Sequence, residues 1–244
     1  KDMLKRGKAQ AQAEFCSPIF LAHGHVHWLK EKKADFVFFP IMVKGPQLRE
    51  TKDYTFFCYY TSHVPVILRN SPLFKKDGNL LFPLIDFQLE PDKVADSLYR
   101  TIGGPLSLSK NEVRRAFQES WDRFCLFREN LKRHGEEVLA KLEGQDTFAV
   151  VLLGRPYNLL DGFLSQNIPD LIQQYGYRVL TPDMLNIDSV SAESTEDYLK
   201  RVHWHYGKTI LRTAELVLRN PKLFPVFLTN FRCSPDSFII SYFK

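Results

Sequence analysis

Three of the four cysteines stand where a thiol can do chemistry. Phe15-Cys16-Ser17-Pro18 opens one apolar run, and Phe231-Arg232-Cys233-Ser234-Pro235 opens another near the far end of the chain. Ser is a favoured helix N-cap, and Pro is tolerated at the first helical position, where no backbone donor is needed. Each cysteine is therefore expected just ahead of a helix. The positive end of a helix dipole favours a thiolate there, or an anionic group bound by one. Cys58, in Phe57-Cys58-Tyr59, falls near a similar strand-to-helix transition. Thiolates are soft ligands suited to iron–sulfur clusters or zinc. Three of them leave one metal position open or filled by another group. The separations match no compact ligand motif, so buried cysteines that only fill a core are the competing reading.

Other groups qualify less sharply. His23, His25 and His27 alternate in Leu21-Ala22-His23-Gly24-His25-Val26-His27. On a helix, His23 and His27 share a face at i, i+4, which suits a metal, while His25 points elsewhere. No neighbouring acid completes a zinc site in the manner of H-E-x-x-H. The alternatives are bonds to backbone, or an imidazole N–H donated to a sulfur held by Cys16. Gly154-Arg155-Pro156-Tyr157-Asn158 follows the strongest strand candidate, and Arg155 there suits a phosphate or carboxylate. The loop is not G-x-G-x-x-G, and the chain contains no P-loop. His203-Trp204-His205-Tyr206 is placed inside a long helix, with Trp204 in the core. Cys125, beside Trp121 and Phe124, is expected in the core too. No Ser-His-Asp order or paired-carboxylate spacing stands out.

The elements that must position these groups read as alternating helix and strand. A helix is expected from Ser17 to Lys30. Phe36–Ile41, Phe56–Tyr60 and Leu80–Ile85 are strand candidates, with His63–Leu68 between the last two. The capping box Ser109-Lys110-Asn111-Glu112 starts a long helix that continues through Val138 and Leu142 to a cap at Gly144. Phe148–Gly154, Tyr177–Leu180 and Phe224–Thr229 are strands of a second α/β unit. Ser165 is expected to cap a helix that ends at Gly176, and Ser194-Thr195-Glu196-Asp197 to begin one that reaches Arg219. The last strand delivers Cys233 past its carboxyl end, the edge of an open sheet where ligands bind.

The 244 residues suffice for a substantial core in one or two domains. The net charge of +5 is mild and spread out, without a basic or stacking motif for nucleic acid. No run of 18 or more apolar residues appears, so no membrane span is expected. Without a signal segment or C-x-x-C pair, the expected compartment is a reducing cytoplasm. The chain lacks an initiating Met and stops just after an apolar segment, which reads as part of a longer polypeptide.

Glu14-Phe15-Cys16-Ser17-Pro18 with Leu21-Ala22-His23-Gly24-His25-Val26 resembles the opening signature of a known domain. It is the domain found in activator-related proteins of the 2-hydroxyacyl-CoA dehydratases. Gly154-Arg155-Pro156-Tyr157-Asn158 resembles its central motif, as do Trp204-His205-Tyr206-Gly207 and Leu228-Thr229-Asn230-Phe231-Arg232-Cys233-Ser234-Pro235-Asp236-Ser237-Phe238. The chain departs from the family at Phe20, Tyr59, Arg232 and Ser234, and Cys58 is the least secure match.

The expected fold is α/β, with two lobes of mainly parallel sheet, 1–105 and 146–244, joined by a helical segment, 106–145, and the resemblance implies that the lobes are Rossmann-like. It implies a 4Fe-4S-type cluster on Cys16, Cys58 and Cys233, with His23, His25, Arg155 and Asn230 about the cofactor. Cys125 matches no motif. The implied partners are an ATP-binding activase module, in the same polypeptide or another chain, a CoA thioester substrate, and a second copy in a homodimer. No ATPase site is present. The expected function is ATP-coupled low-potential electron transfer. The alternative is a cluster-free module that binds a small anionic or CoA-type ligand near Arg155, and structural zinc is a third reading.

Overall fold

The computed structural model describes residues 2–46, 55–71, 79–189 and 196–243. The described residues through Asp122 cluster into one compact unit, and those from Arg123 onward into a second.

The first unit opens with two helices, α1 (Asp2–Gln10) and α2 (Ser17–Glu31). They run antiparallel in backbone contact. Gly7 of α1 lies against the Phe20 carbonyl of α2, and Gly24 of α2 lies against the Met3 carbonyl of α1. A Cβ on Gly7 would sit 1.6 Å from the Phe20 oxygen, and one on Gly24 2.0 Å from the Met3 oxygen. No side chain fits at either position, so the two glycines permit the crossing.

Next come β1 (Val37–Phe38), β2 (Ile41–Lys44), α3 (Tyr59–Arg69), β3 (Leu80–Leu81), β4 (Leu84–Asp86) and α4 (Pro91–Ile102). β1 pairs with β3 and β2 with β4, both parallel. The expected runs 36–41 and 80–85 are each split in two, and Pro83 explains the break. Phe39 N–H donates to Leu81 O and Ile41 N–H to Pro83 O, but Pro83 has no N–H to return a rung. The first run is also less buried than expected: Val37 is inside, but Phe36 and Phe38 are exposed.

The expected strand Phe56–Tyr60 does not form. Phe56 makes a single antiparallel bridge to Lys44, and from Tyr59 the chain is helical through His63–Leu68. The core of this unit gathers Phe15, Ile19, Phe20, Val26, Val37, Val64, Leu68 and Leu80.

Helix α5 (Lys110–Leu142) starts as its capping box predicts. Ser109 N–H and Oγ both bond the Glu112 carboxylate, and Glu112 N–H returns a bond to Ser109 Oγ. Residues 122–127 are all exposed, so Cys125 is a surface residue rather than a core one. Among the described residues the side chains of that turn join none of the core clusters, which is why the expectation fails.

The second unit has β5 (Ala149–Gly154), α6 (Pro156–Leu160), α7 (Ile168–Gln174), β6 (Arg178–Leu180), α8 (Glu196–Arg201), α9 (His205–Leu218), β7 (Leu223–Leu228) and α10 (Ser234–Phe243). Its sheet is parallel with order β6-β5-β7, and all six residues of central β5 are buried. Strand alternation divides them. Ala149, Val151 and Leu153 join the core formed with α5 and α9, and Val150 and Leu152 pack on the other face with Leu159 and Ile172. Burying each such Val or Leu contributes about 1.5–3 kcal/mol.

Two expected helices differ. Asn167, at φ 55°, rather than Ser165, precedes α7, which then closes at Gly176 with φ 86°. The run expected from Ser194 to Arg219 is two helices, broken at 202–204. Its proposed cap at Ser194 and Thr195 lies outside the described residues. His203 and Trp204 are therefore at the break rather than mid-helix, and Trp204 is the N-cap of α9. The fold is mixed helix and strand with short parallel sheets, which is the α/β class expected. Among the described residues no helix is long and apolar enough to cross a membrane.

Candidate functional site

The three candidate cysteines occupy one structural position. Cys16 is the N-cap of α2, with φ −72° and ψ 159°, and Cys58 is the N-cap of α3, with φ −57° and ψ 138°. The Cys16 carbonyl accepts from Ile19 and Phe20 N–H, and the Cys58 carbonyl from Ser62 N–H. The Cys233 carbonyl accepts from Ser237 N–H in the same way at the start of α10. The expectation that Ser17 and Ser234 would be the caps is thus off by one residue: each cysteine is itself the cap. All three are buried, at 9%, 8% and 7% exposure, and no disulfide is formed.

Cys16 and Cys58 belong to the first unit, where α2 and α3 pack on each other. The Phe15 ring meets the Tyr60 ring edge-on at 5.3 Å, which ties the two helix starts together. Phe15 also stacks on His23 at 5.8 Å. His23 is buried and its imidazole is pushed below the usual range by burial, so it is neutral at pH 7. Its Nε2 finds no hydrogen-bond partner among the described residues. His27 lies 3.3 Å from Glu31 on its own helix, and His25 is exposed.

Arg155, Asn230 and Cys233 belong to the second unit. Arg155 is the N-cap of α6, directly past the carboxyl end of β5, and only 1% exposed. Its Nε donates to Asp236 Oδ1 at 2.9 Å, with Nη2 also 2.9 Å from that oxygen. Asp236, equally buried, accepts from Thr229 Oγ1 at 2.7 Å through its second oxygen. Asn230 donates its side-chain amide to Asn158 Oδ1.

Burial pulls the Arg155 guanidinium down, but Tyr157, Asp236 and Cys233, all ionised in the alkaline range where an arginine titrates, outweigh it and hold the group above its usual range. The Cys233 thiol is pushed up to about 12. Burial is the main cause, opposed by Arg155 and by the Asp236 backbone N–H and reinforced by the Asp236 carboxylate. Cys233 is therefore a protonated thiol at neutral pH. A metal would have to displace that proton to bind sulfur there.

Asp236, Thr229 and Asn158 were given no role from the sequence. The signal for Asp236 was present: an acid three residues past a cysteine N-cap, at the third helical position. Its partner lies 81 residues earlier, which no local pattern reveals. Among the described residues no three His, Cys, Asp or Glu side chains gather closely enough to hold a metal ion.

No curated protein and no solved structure matches the chain significantly. One family model does, over residues 1–185, a span that contains Cys16, Cys58 and Arg155 and ends before Asn230 and Cys233. By that match, over most of its length, the chain belongs to the CoA enzyme activase uncharacterised domain family (DUF2229).

Proposed function

We propose that this chain is the iron–sulfur-binding redox domain of an acyl-CoA dehydratase activase-related protein, with two Rossmann-like lobes, 1–105 and 146–244, joined by 106–145. The observation that carries the reading is the shared position of Cys16, Cys58 and Cys233. Three buried thiols each cap a helix, a position where the helix dipole favours a thiolate; at Cys233 burial outweighs that, and metal binding would have to displace the proton. That donor set suits a 4Fe-4S-type cluster in its chemistry, and such a group supplies one-electron transfer when bound.

The chain's own residues bind and shield. Cys16, Cys58 and Cys233 are the proposed thiolates. The neutral imidazole of His23, stacked under Phe15, and the amide of Asn230 are the proposed hydrogen-bond partners that tune the site, with His25 at its margin. The partners proposed are an ATP-binding activase module, a CoA thioester and a second copy of the chain, in the cytoplasm.

A second reading, a cluster-free module for a small anionic or CoA-type ligand at Arg155, rests on the place of Arg155 at the carboxyl end of β5. Pairing with Asp236 already occupies that guanidinium, which ranks this reading behind the first.

Anaerobic reconstitution with iron and sulfide tests the choice. The expected result is bound iron and sulfide with visible charge-transfer absorbance, lost in Cys16→Ala, Cys58→Ala and Cys233→Ala. No bound metal in the wild-type protein, or full iron in the three variants, would overturn the redox reading.

A further inference from the structure

We propose that Asp236 and Arg155 are positioning residues for Cys233, a pair that pins the thiol at the carboxyl edge of the second unit's sheet; this rests on the reading of Cys233 as a ligand. Asp236 is held from three sides. Arg155 reaches it from the end of β5 at 2.9 Å, and Thr229 from the end of β7 at 2.7 Å. Asp236 itself stands in the first turn of α10, three residues past Cys233, whose carbonyl accepts from Ser237 N–H in that same turn. The carboxylate thus joins two neighbouring parallel strands to the helix whose cap is Cys233.

The loop between β7 and α10 is tied a second time by the bond from Asn230 to Asn158. It also turns through Arg232 at φ 68°, a left-handed conformation that a non-glycine residue holds only under constraint. A buried ion pair contributes little net stability, because two desolvated charges offset their own attraction. A pair kept at 1% exposure on both sides is better accounted for by what it fixes. What it fixes is the start of α10 and, with it, the sulfur.

The test uses the metal-free chain and the reconstituted chain. Arg155→Met with Asp236→Leu replaces the pair by apolar groups without leaving a buried charge, and Thr229→Val removes one of the three ties. Alkylation of Cys233 by iodoacetamide, followed by peptide mass spectrometry at fixed pH, reports how often the thiol is released. The expected result is at least about tenfold faster labelling of Cys233 in the double variant, with a smaller rise in Thr229→Val. Cys16 and Cys58 should label at unchanged rates, which separates local release from global unfolding. In reconstituted protein, iron loss to a chelator should quicken by about 10–100-fold.

Unchanged Cys233 labelling in both variants overturns the proposal. Labelling that rises equally at all three cysteines also overturns it, because the pair would then be merely structural. Wild-type protein that binds no iron overturns the ligand reading instead, and labelling then decides the positioning role by itself.

Discussion

Replacing Gly24 by Ala sets two effects of known sign against each other. Ala is the better helix former, by about 1 kcal/mol in a helix interior. At Gly24 the added methyl would lie 2.0 Å from the Met3 carbonyl oxygen and 2.8 Å from its carbon. Ordinary contact begins near 3.4 Å, so α1 and α2 would have to part by more than an ångström. Both obstructing atoms are backbone, and no rotamer change relieves them. Overpacking of this kind costs about 1–3 kcal/mol, and parting also withdraws Leu4 of α1 from the core it packs against. Sterics should win, with a net loss of up to about 2 kcal/mol after the helix gain is subtracted. Gly7→Ala meets the Phe20 oxygen at 1.6 Å and should cost at least as much. Gly104→Ala is the control, because nothing lies within 4 Å of its Cβ, and it should change stability by less than about 0.5 kcal/mol. Urea unfolding measures each variant as a midpoint shift at constant m. A Gly24→Ala protein more stable than wild type would show that the helices are not in backbone contact, and the argument would fall.

Three further outcomes are expected. His205, buried in the first turn of α9, is pushed down to about 4, by burial first and Arg128 second, from an unfolded value of 6.5. Its folded value is the lower one, so stability is complete above pH 6.5 and falls as pH drops, by about 3 kcal/mol near pH 4. Asp183, raised by burial, works against that loss at the acid end. His205→Gln should flatten the slope in unfolding measured from pH 7 to 4, and an identical slope would refute the assignment. Ser109→Ala removes the reciprocal cap of α5 and should cost about 0.5–2 kcal/mol, read by denaturant unfolding; a neutral result would deny the capping box any energetic role. Lys222 donates through Nζ to the carbonyls of Leu142 and Gln145 at the end of α5. Lys222→Met should cost about 1–2 kcal/mol and speed amide exchange at that helix end; unchanged exchange would refute it.

What the sequence disclosed depended on how local each determinant was. The box at Ser109 and Glu112 and the apolar run of β5 carry their whole signal within a few residues, and both form as expected. The class of the fold followed from such runs alternating with helical patterns. Failures came where distant groups decide. Tyr59–Arg69 is rich in β-branched and aromatic residues, yet it is helical, because its buried face, Val64 and Leu68, meets the core of α2 at helical spacing. Cys125 has the pattern of a core residue, but among the described residues that turn of α5 joins no core cluster. Cys16 and Cys233 could be placed at helix starts from the serines and prolines that follow them, whereas Tyr59 and Tyr60 after Cys58 carry no such signal. The pairing of Arg155 with Asp236 could not, since nothing short of the folded sheet brings the ends of β5 and β7 together.

The prolines of the first unit's ladder have a protective consequence. Val37, Phe39 and Ile41 aim their N–H groups at the β3–β4 side, so that of residue 40 would aim the opposite way, and Pro40 has none to offer. A stray extended segment that approached that flank would find a gap in its row of donors, where templated growth needs an unbroken one. The same ring chemistry that shortens the strands thus makes the margin of this small sheet a poor seed for aggregation.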